Sequence, residues 1–140
     1  MTNSEIPRGI RNNNPLNIRI GNTWLGEVTN PTDNEFEQFV HISYGLRAGF
    51  ILLKRYINRY RLNTIEKIIS RWAPSNENNT RTYINHVAKS MNVAPETQLL
   101  YEDRDTICAL VYAMVYVENG QHIQMTEIVR AYQMVNQSFS

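Results

Sequence analysis

Glu118-Asn119-Gly120 closes the most apolar stretch of the sequence, which runs DRDTICALVYAMVYVENG from Asp103. Apolar residues on every face of a helix mark it as buried. Its last turn carries the negative end of the helix dipole, where another negative charge is disfavoured, and partial burial disfavours that charge further. Both effects predict that Glu118 keeps its proton to a higher pH than a solvated carboxyl. A carboxyl still protonated near neutrality is what a general acid for glycosidic-bond cleavage requires. The same three residues also read as an ordinary helix end, with Gly120 as the terminator and Glu118 in a solvated last turn.

A second segment with chemical capacity is Arg8-Gly9-Ile10-Arg11-Asn12-Asn13-Asn14-Pro15-Leu16-Asn17-Ile18. Three Asn followed by Pro do not extend a helix or a central strand. Their amides both donate and accept, which suits a turn or the hydroxyl and acetamido groups of sugars. Other constellations are poor. His41, His86, His122 and Cys108 show no metal-ligand spacing, so no metal and no cofactor is assigned. There is no phosphate-binding glycine loop and no nucleophile elbow. Cys108, inside the apolar helix, reads as a small core residue.

The elements that must position these residues follow from periodicity. At 140 residues the chain suits a single domain, 1–140, with a real core. Net charge is +1 with dispersed basic residues, which argues against a nucleic-acid partner. The first residues lack the apolar centre of a secretory signal, and the longest apolar run, 109–117, is too short to span a bilayer. The reading is a protein made in the cytoplasm and not inserted in a membrane. Asn17-Ile18-Arg19-Ile20 and Glu35-Phe36-Glu37-Gln38-Phe39 alternate like two strands of a small sheet, with turn residues between them. Ser43 is a plausible cap for a long amphipathic helix, and Asn63 for the next, which Pro74 ends. Helical periodicity recurs over 80–91 and 126–135, with a short helical turn over 95–100. The fold class expected is α+β, mostly α, with a small N-terminal hairpin or sheet.

RGIRNNNPLNIRIGNTWLGE, the EFEQF segment and GLRAGFILLKRY occur in an order that resembles a lysozyme-superfamily domain common in phages and prophages. Ile68 to Pro74, Glu77-Asn78-Asn79-Thr80 with Tyr83-Ile84, and Glu118-Asn119-Gly120 continue the resemblance over nearly the whole chain. A more remote similarity is to bacterial peptidoglycan glucosaminidases of that superfamily, in which the Glu-bearing helix comes first instead of last. The resemblance therefore implies a lysozyme-like domain, circularly permuted, which is feasible because domain termini often lie close together.

What it implies about activity is cleavage of peptidoglycan glycan strands, by a lytic transglycosylase or a muramidase or glucosaminidase route. Glu118 would be the general acid, while Asn13, Asn14, Asn119, Gly120 and Tyr83 line or shape the cleft. Trp24 and Trp72 suit either core anchoring or stacking on sugar rings. A hydrolase needs a second carboxylate opposite the acid. Glu35 is the preferred candidate, ahead of Glu27 and Asp33 in the preceding loop. Without one, a single acid/base still serves a lytic transglycosylase, in which the muramic acid's own 6-hydroxyl attacks. The implied setting is a virion, beside other virion proteins and acting on the cell wall, or release at lysis. The alternative is a non-catalytic phage structural or glycan-binding protein that keeps the lysozyme-like fold.

Overall fold

The computed structural model describes residues 5–74 and 77–136. Its helices are α1 (Arg8–Arg11), α2 (Ile42–Lys54), α3 (Ile65–Trp72), α4 (Glu77–Met91), α5 (Arg104–Asn119) and α6 (Met125–Val135). A π-helical turn, Arg55–Arg59, prolongs α2. No β-strand occurs among the described residues, so the expected α+β class is corrected to an all-helical one. The two predicted strands do approach each other. Glu37 N–H donates to Ile18 O at 2.9 Å and Ile20 N–H to Glu35 O at 3.1 Å, around one antiparallel bridge between Arg19 and Phe36. A ladder goes no further because a side chain takes its next bonds. The buried Asn14 amide donates to Ile18 O at 2.9 Å and to Glu37 O at 3.0 Å, and its oxygen accepts from Ile18 N–H at 3.0 Å. A side-chain amide stands in for a neighbouring strand.

Several caps lie close to the expected positions but not on them. The His41 imidazole, not Ser43, caps α2, accepting the Ser43 N–H at 3.1 Å. Thr64, one residue past Asn63, caps α3 through the Lys67 N–H at 3.1 Å. The turn of helix expected over 95–100 is absent. There Leu99 N–H donates to Asn63 O at 2.7 Å, beside a bridge between Thr64 and Gln98. Asp103 opens α5, accepting from the Thr106 hydroxyl at 2.6 Å, and Gly120 closes it in a left-handed conformation with φ of 71°.

Helix α5 is the spine of the core. Ile107, Leu110, Val111 and Met114 are fully buried, and α5 packs against α4, α6 and the end of α1. Cys108 is buried too, with its thiol pushed up to about 11 by burial, as suits an inert core residue. A smaller cluster of Ile18, Trp24, Phe39 and Ala48 fastens the N-terminal loops to α2. Trp72 packs against both clusters, and its indole N–H donates to Leu16 O at 3.3 Å. Gly45 and Gly49 give α2 a flat face on which the Asn13 carbonyl and the Leu16 side chain rest directly.

Two carboxyls in the N-terminal loops titrate in opposite directions. Asp33 accepts a forked pair of bonds from Arg8 at 2.7 and 2.8 Å, and these hold it far below the usual carboxylate range. Glu37 is buried beside Glu27, and burial, then that neighbour, push it up to about 7. A raised carboxyl binds a proton in the folded chain that the unfolded chain has lost, so its contribution fades as pH rises through its folded value. Asp33 contributes above the ordinary carboxylate range and loses that contribution as pH falls through it. Stability should therefore peak at mildly acidic pH. Urea midpoints measured between about pH 3 and about pH 8 should fall at both ends, and Glu37→Gln should flatten the alkaline decline. An unchanged alkaline limb in that variant would rule Glu37 out as its cause.

Candidate active site

The end of α5 is tied to the Asn-Pro loop. Asn119, the last residue of the helix, is buried and donates to Pro15 O at 2.7 Å and to Val115 O at 3.0 Å. That latch sets the register of the last turn against the chain's opening segment. Glu118, on the neighbouring face of the same turn, is then held by two donors from different elements. Asn17 Nδ2 donates to Oε1 at 2.8 Å, and the Tyr83 hydroxyl of α4 donates to Oε2 at 2.9 Å. Both bonds favour the carboxylate, but burial outweighs them and the Glu118 pKa is raised. Tyr83 is itself buried, and burial, then the charge of Glu118, hold its phenol well above its ordinary value. It stays a donor at any physiological pH.

Asn17 reaches Glu118 because its backbone is left-handed, with φ of 52°. Asn tolerates that conformation better than most residues, and Asn13, with φ of 54°, shares it. Gly9 supplies the space. A Cβ there would lie 2.5 Å from Asn119 Oδ1 and 2.9 Å from Asn17 Oδ1, so both amides depend on its absence.

Glu118 is where two depressions meet. One, of about 550 Å³, is lined by Tyr83 and His86 of α4, Tyr116 and Val117 of α5, and Ala73. The other, of about 380 Å³, is lined by Asn17, Arg19, Phe36, Trp72 and Pro74. Ala73 and Glu118 belong to both, so the two adjoin in a furrow, and Glu118 at the junction is the one carboxyl among its described lining residues. An extended polymer laid along it would present a bond to that carboxyl.

The other residues singled out from the sequence are placed as follows. Asn14 is fully buried and spent on the backbone bonds described above. Asn13 donates to Phe39 O at 3.0 Å. These two shape the loop, and Asn17, four residues after Asn13, meets Glu118. Trp24 is buried in the smaller cluster, whereas Trp72 lines the furrow. Glu35 is exposed and paired with Arg8 at 3.3 Å and Arg19 at 3.7 Å. Neither it, Glu27 nor Asp33 lines the two depressions at Glu118. Gly120 caps α5 and borders the larger depression. Sequence reasoning missed Asn17, Arg19, Phe36, His86 and Tyr116. His86 had a signal, since it lies one helical turn beyond Tyr83.

No protein-family model matches the chain. It is 43% identical over 123 residues to Protein P5 of Pseudoalteromonas phage PM2, an alignment that covers 85% of this chain and 75% of that protein. The chain belongs to the family of phage protein P5. Identity at this level over most of both chains carries the backbone fold with it, and makes this a phage-type protein. No helix among the described residues is long and apolar enough to cross a membrane.

Proposed function

We propose that the chain cuts the glycan strand of peptidoglycan as a lytic transglycosylase, with Glu118 as its one acid/base. The observation that carries this reading is the raised carboxyl of Glu118, held by Asn17 and Tyr83 at the middle of a furrow open on both sides. The lysozyme-superfamily motif order, with the acid-bearing helix last, adds support. So does membership of a phage protein family, which suits a domain that opens the wall from a virion.

The lack of a second carboxyl among the furrow's described lining residues favours the lyase over a hydrolase. Glu118 gives its proton to the glycosidic oxygen as the bond to muramic acid C1 breaks. The 6-hydroxyl of the same muramic acid forms the new bond to C1, and its proton returns to Glu118. No water is consumed, and one product ends in a 1,6-anhydro sugar. Asn17 and Tyr83 steady the carboxylate during the half-cycle in which it is charged, and their two fixed bonds hold it in the orientation the transfer needs.

The test is digestion of purified walls. Turbidity should fall, and the released fragments should carry anhydromuramic ends. Ordinary reducing ends would make water the nucleophile and overturn the single-carboxyl mechanism. Tight wall binding without clearing would overturn the enzyme reading in favour of a non-catalytic wall-binding module.

A further inference from the structure

Four aromatic rings run out of the furrow in a stack. His86 of α4 lies on Tyr116 of α5, with centroids 5.3 Å apart and planes 13° from parallel. Tyr116 lies on His122, beyond the end of α5, at 4.6 Å and 25°. His122 lies on Tyr112, one helical turn before Tyr116, at 4.5 Å and 14°. His86, Tyr116 and His122 are all exposed, so core packing does not account for the arrangement. His86 and Tyr116 line the same depression as Glu118, which makes the stack a continuation of the furrow wall.

We infer that this ladder is a further glycan subsite, which takes an N-acetylated amino sugar of the strand on the α4 side of the bond being cut. The inference rests on the function proposed above and names where the strand continues. Inside the stack each ring covers its neighbours, so the surfaces left for a ligand are the outer face of His86 and the ring edges. An aromatic face suits the apolar C–H face of a pyranose. Phenol and imidazole edges donate to and accept from hydroxyl and acetamido groups. The stacking also orders these side chains before any ligand arrives, which lowers the entropy cost of binding. Among the described residues no Lys or Arg lines this depression, so it matches a neutral sugar better than a phosphate or a carboxylate. The opposite arm, with Arg19, is the cationic one. The two arms are chemically unlike, and a strand lying along them has a defined direction.

The test uses Glu118→Gln protein with labelled histidine rings and soluble, peptide-free peptidoglycan glycan strands. Long strands should shift the His86 and His122 ring signals saturably and leave His41, bonded to Ser43 at the start of α2, unmoved. In the active protein, His86→Ala and Tyr116→Ala should each raise KM for long strands about fivefold with kcat little changed, as expected for losing one stacking contact that is equal in ground and transition states. If strands perturb tryptophan fluorescence through Trp72 but leave the His86 signal unmoved, the subsite is refuted while the proposed function stands. If neither reporter responds and the parent clears no walls, the reading of the furrow fails and takes the subsite with it. A fall in kcat as large as the rise in KM, or a lower melting temperature in either variant, would make the ladder structural and refute the inference as well.

Discussion

Glu118→Gln is expected to slow wall digestion roughly a thousandfold, the usual worth of a positioned general acid/base. The amide is nearly isosteric and keeps a partner for each neighbour. Its oxygen accepts from Asn17 Nδ2 in place of Oε1, and its NH2 donates to the Tyr83 oxygen in place of accepting from it. The furrow therefore keeps its shape while the transferable proton is gone. Linkage gives the sign of the stability change. Burial raises the Glu118 pKa in the folded chain, so its contribution to stability is complete below the ordinary carboxylate range and is lost as pH rises through the folded value. A neutral side chain escapes that loss. At neutral pH the variant should melt at the same temperature as the parent or higher, and bind glycan strands undiminished. Retention of more than about a tenth of the parent rate would remove Glu118 from the chemistry. Loss of activity together with a lower melting temperature would assign it a structural part instead.

The buried setting of Glu118 was legible in the sequence because it is written in the helix that bears it. A stretch apolar on every face must be buried, and the carboxyl at its end is buried with it. Of its two partners, Tyr83 was named through the family resemblance, but the asparagine was not legible in the same way. Asn13, Asn14 and Asn17 are chemically alike and all lie in one turn-rich segment. Which of them meets Glu118 is decided by two left-handed residues and by the latch from Asn119 to Pro15, about a hundred residues away in the chain. The N-terminal strands were misread for a related reason. The alternation of Glu35 to Phe39 is real, burying Glu37 and Phe39 and leaving Glu35 exposed, but alternation reports only which side faces inward. Whether a ladder forms depends on who takes the backbone bonds, and here the Asn14 amide takes the Ile18 N–H and the Glu37 carbonyl that would form its next rung. Helices were more legible because their hydrogen bonds are local. Their periodic stripes gave α2 to α6, with errors at the ends, where His41 and Thr64 displaced the expected caps and α4 starts at Glu77 instead of Thr80, while the short α1 was missed and the turn expected over 95–100 does not form.

The smooth face of α2 is where a remote change should reach the site. Gly45→Ala is expected to destabilise the fold by about 3 kcal/mol, at the upper end of overpacking costs. A Cβ at this position would overlap the Asn13 carbonyl oxygen and lie 3.1 Å from Asn14 Cα, so the obstacle is backbone and not the end of a flexible side chain. Alanine favours helix more than glycine does by about 1 kcal/mol, which offsets part of the cost but reverses nothing. For a chain of this size the melting temperature should fall by about 10 °C. The loop also cannot lift away from α2 without moving Asn17, because the intervening Asn14 and Leu16 are fully buried. Asn17 would then leave its 2.8 Å contact with Glu118. Misplacement of a catalytic group by about 1 Å costs on the order of a hundredfold in rate, so digestion should fall by that order even well below the melting point, where the variant is folded. A loss of stability without loss of rate would mean that the loop yields elsewhere and that Asn17 is anchored independently of α2. An unaltered melting temperature would mean that α2 and the Asn-Pro segment do not meet at Gly45 at all.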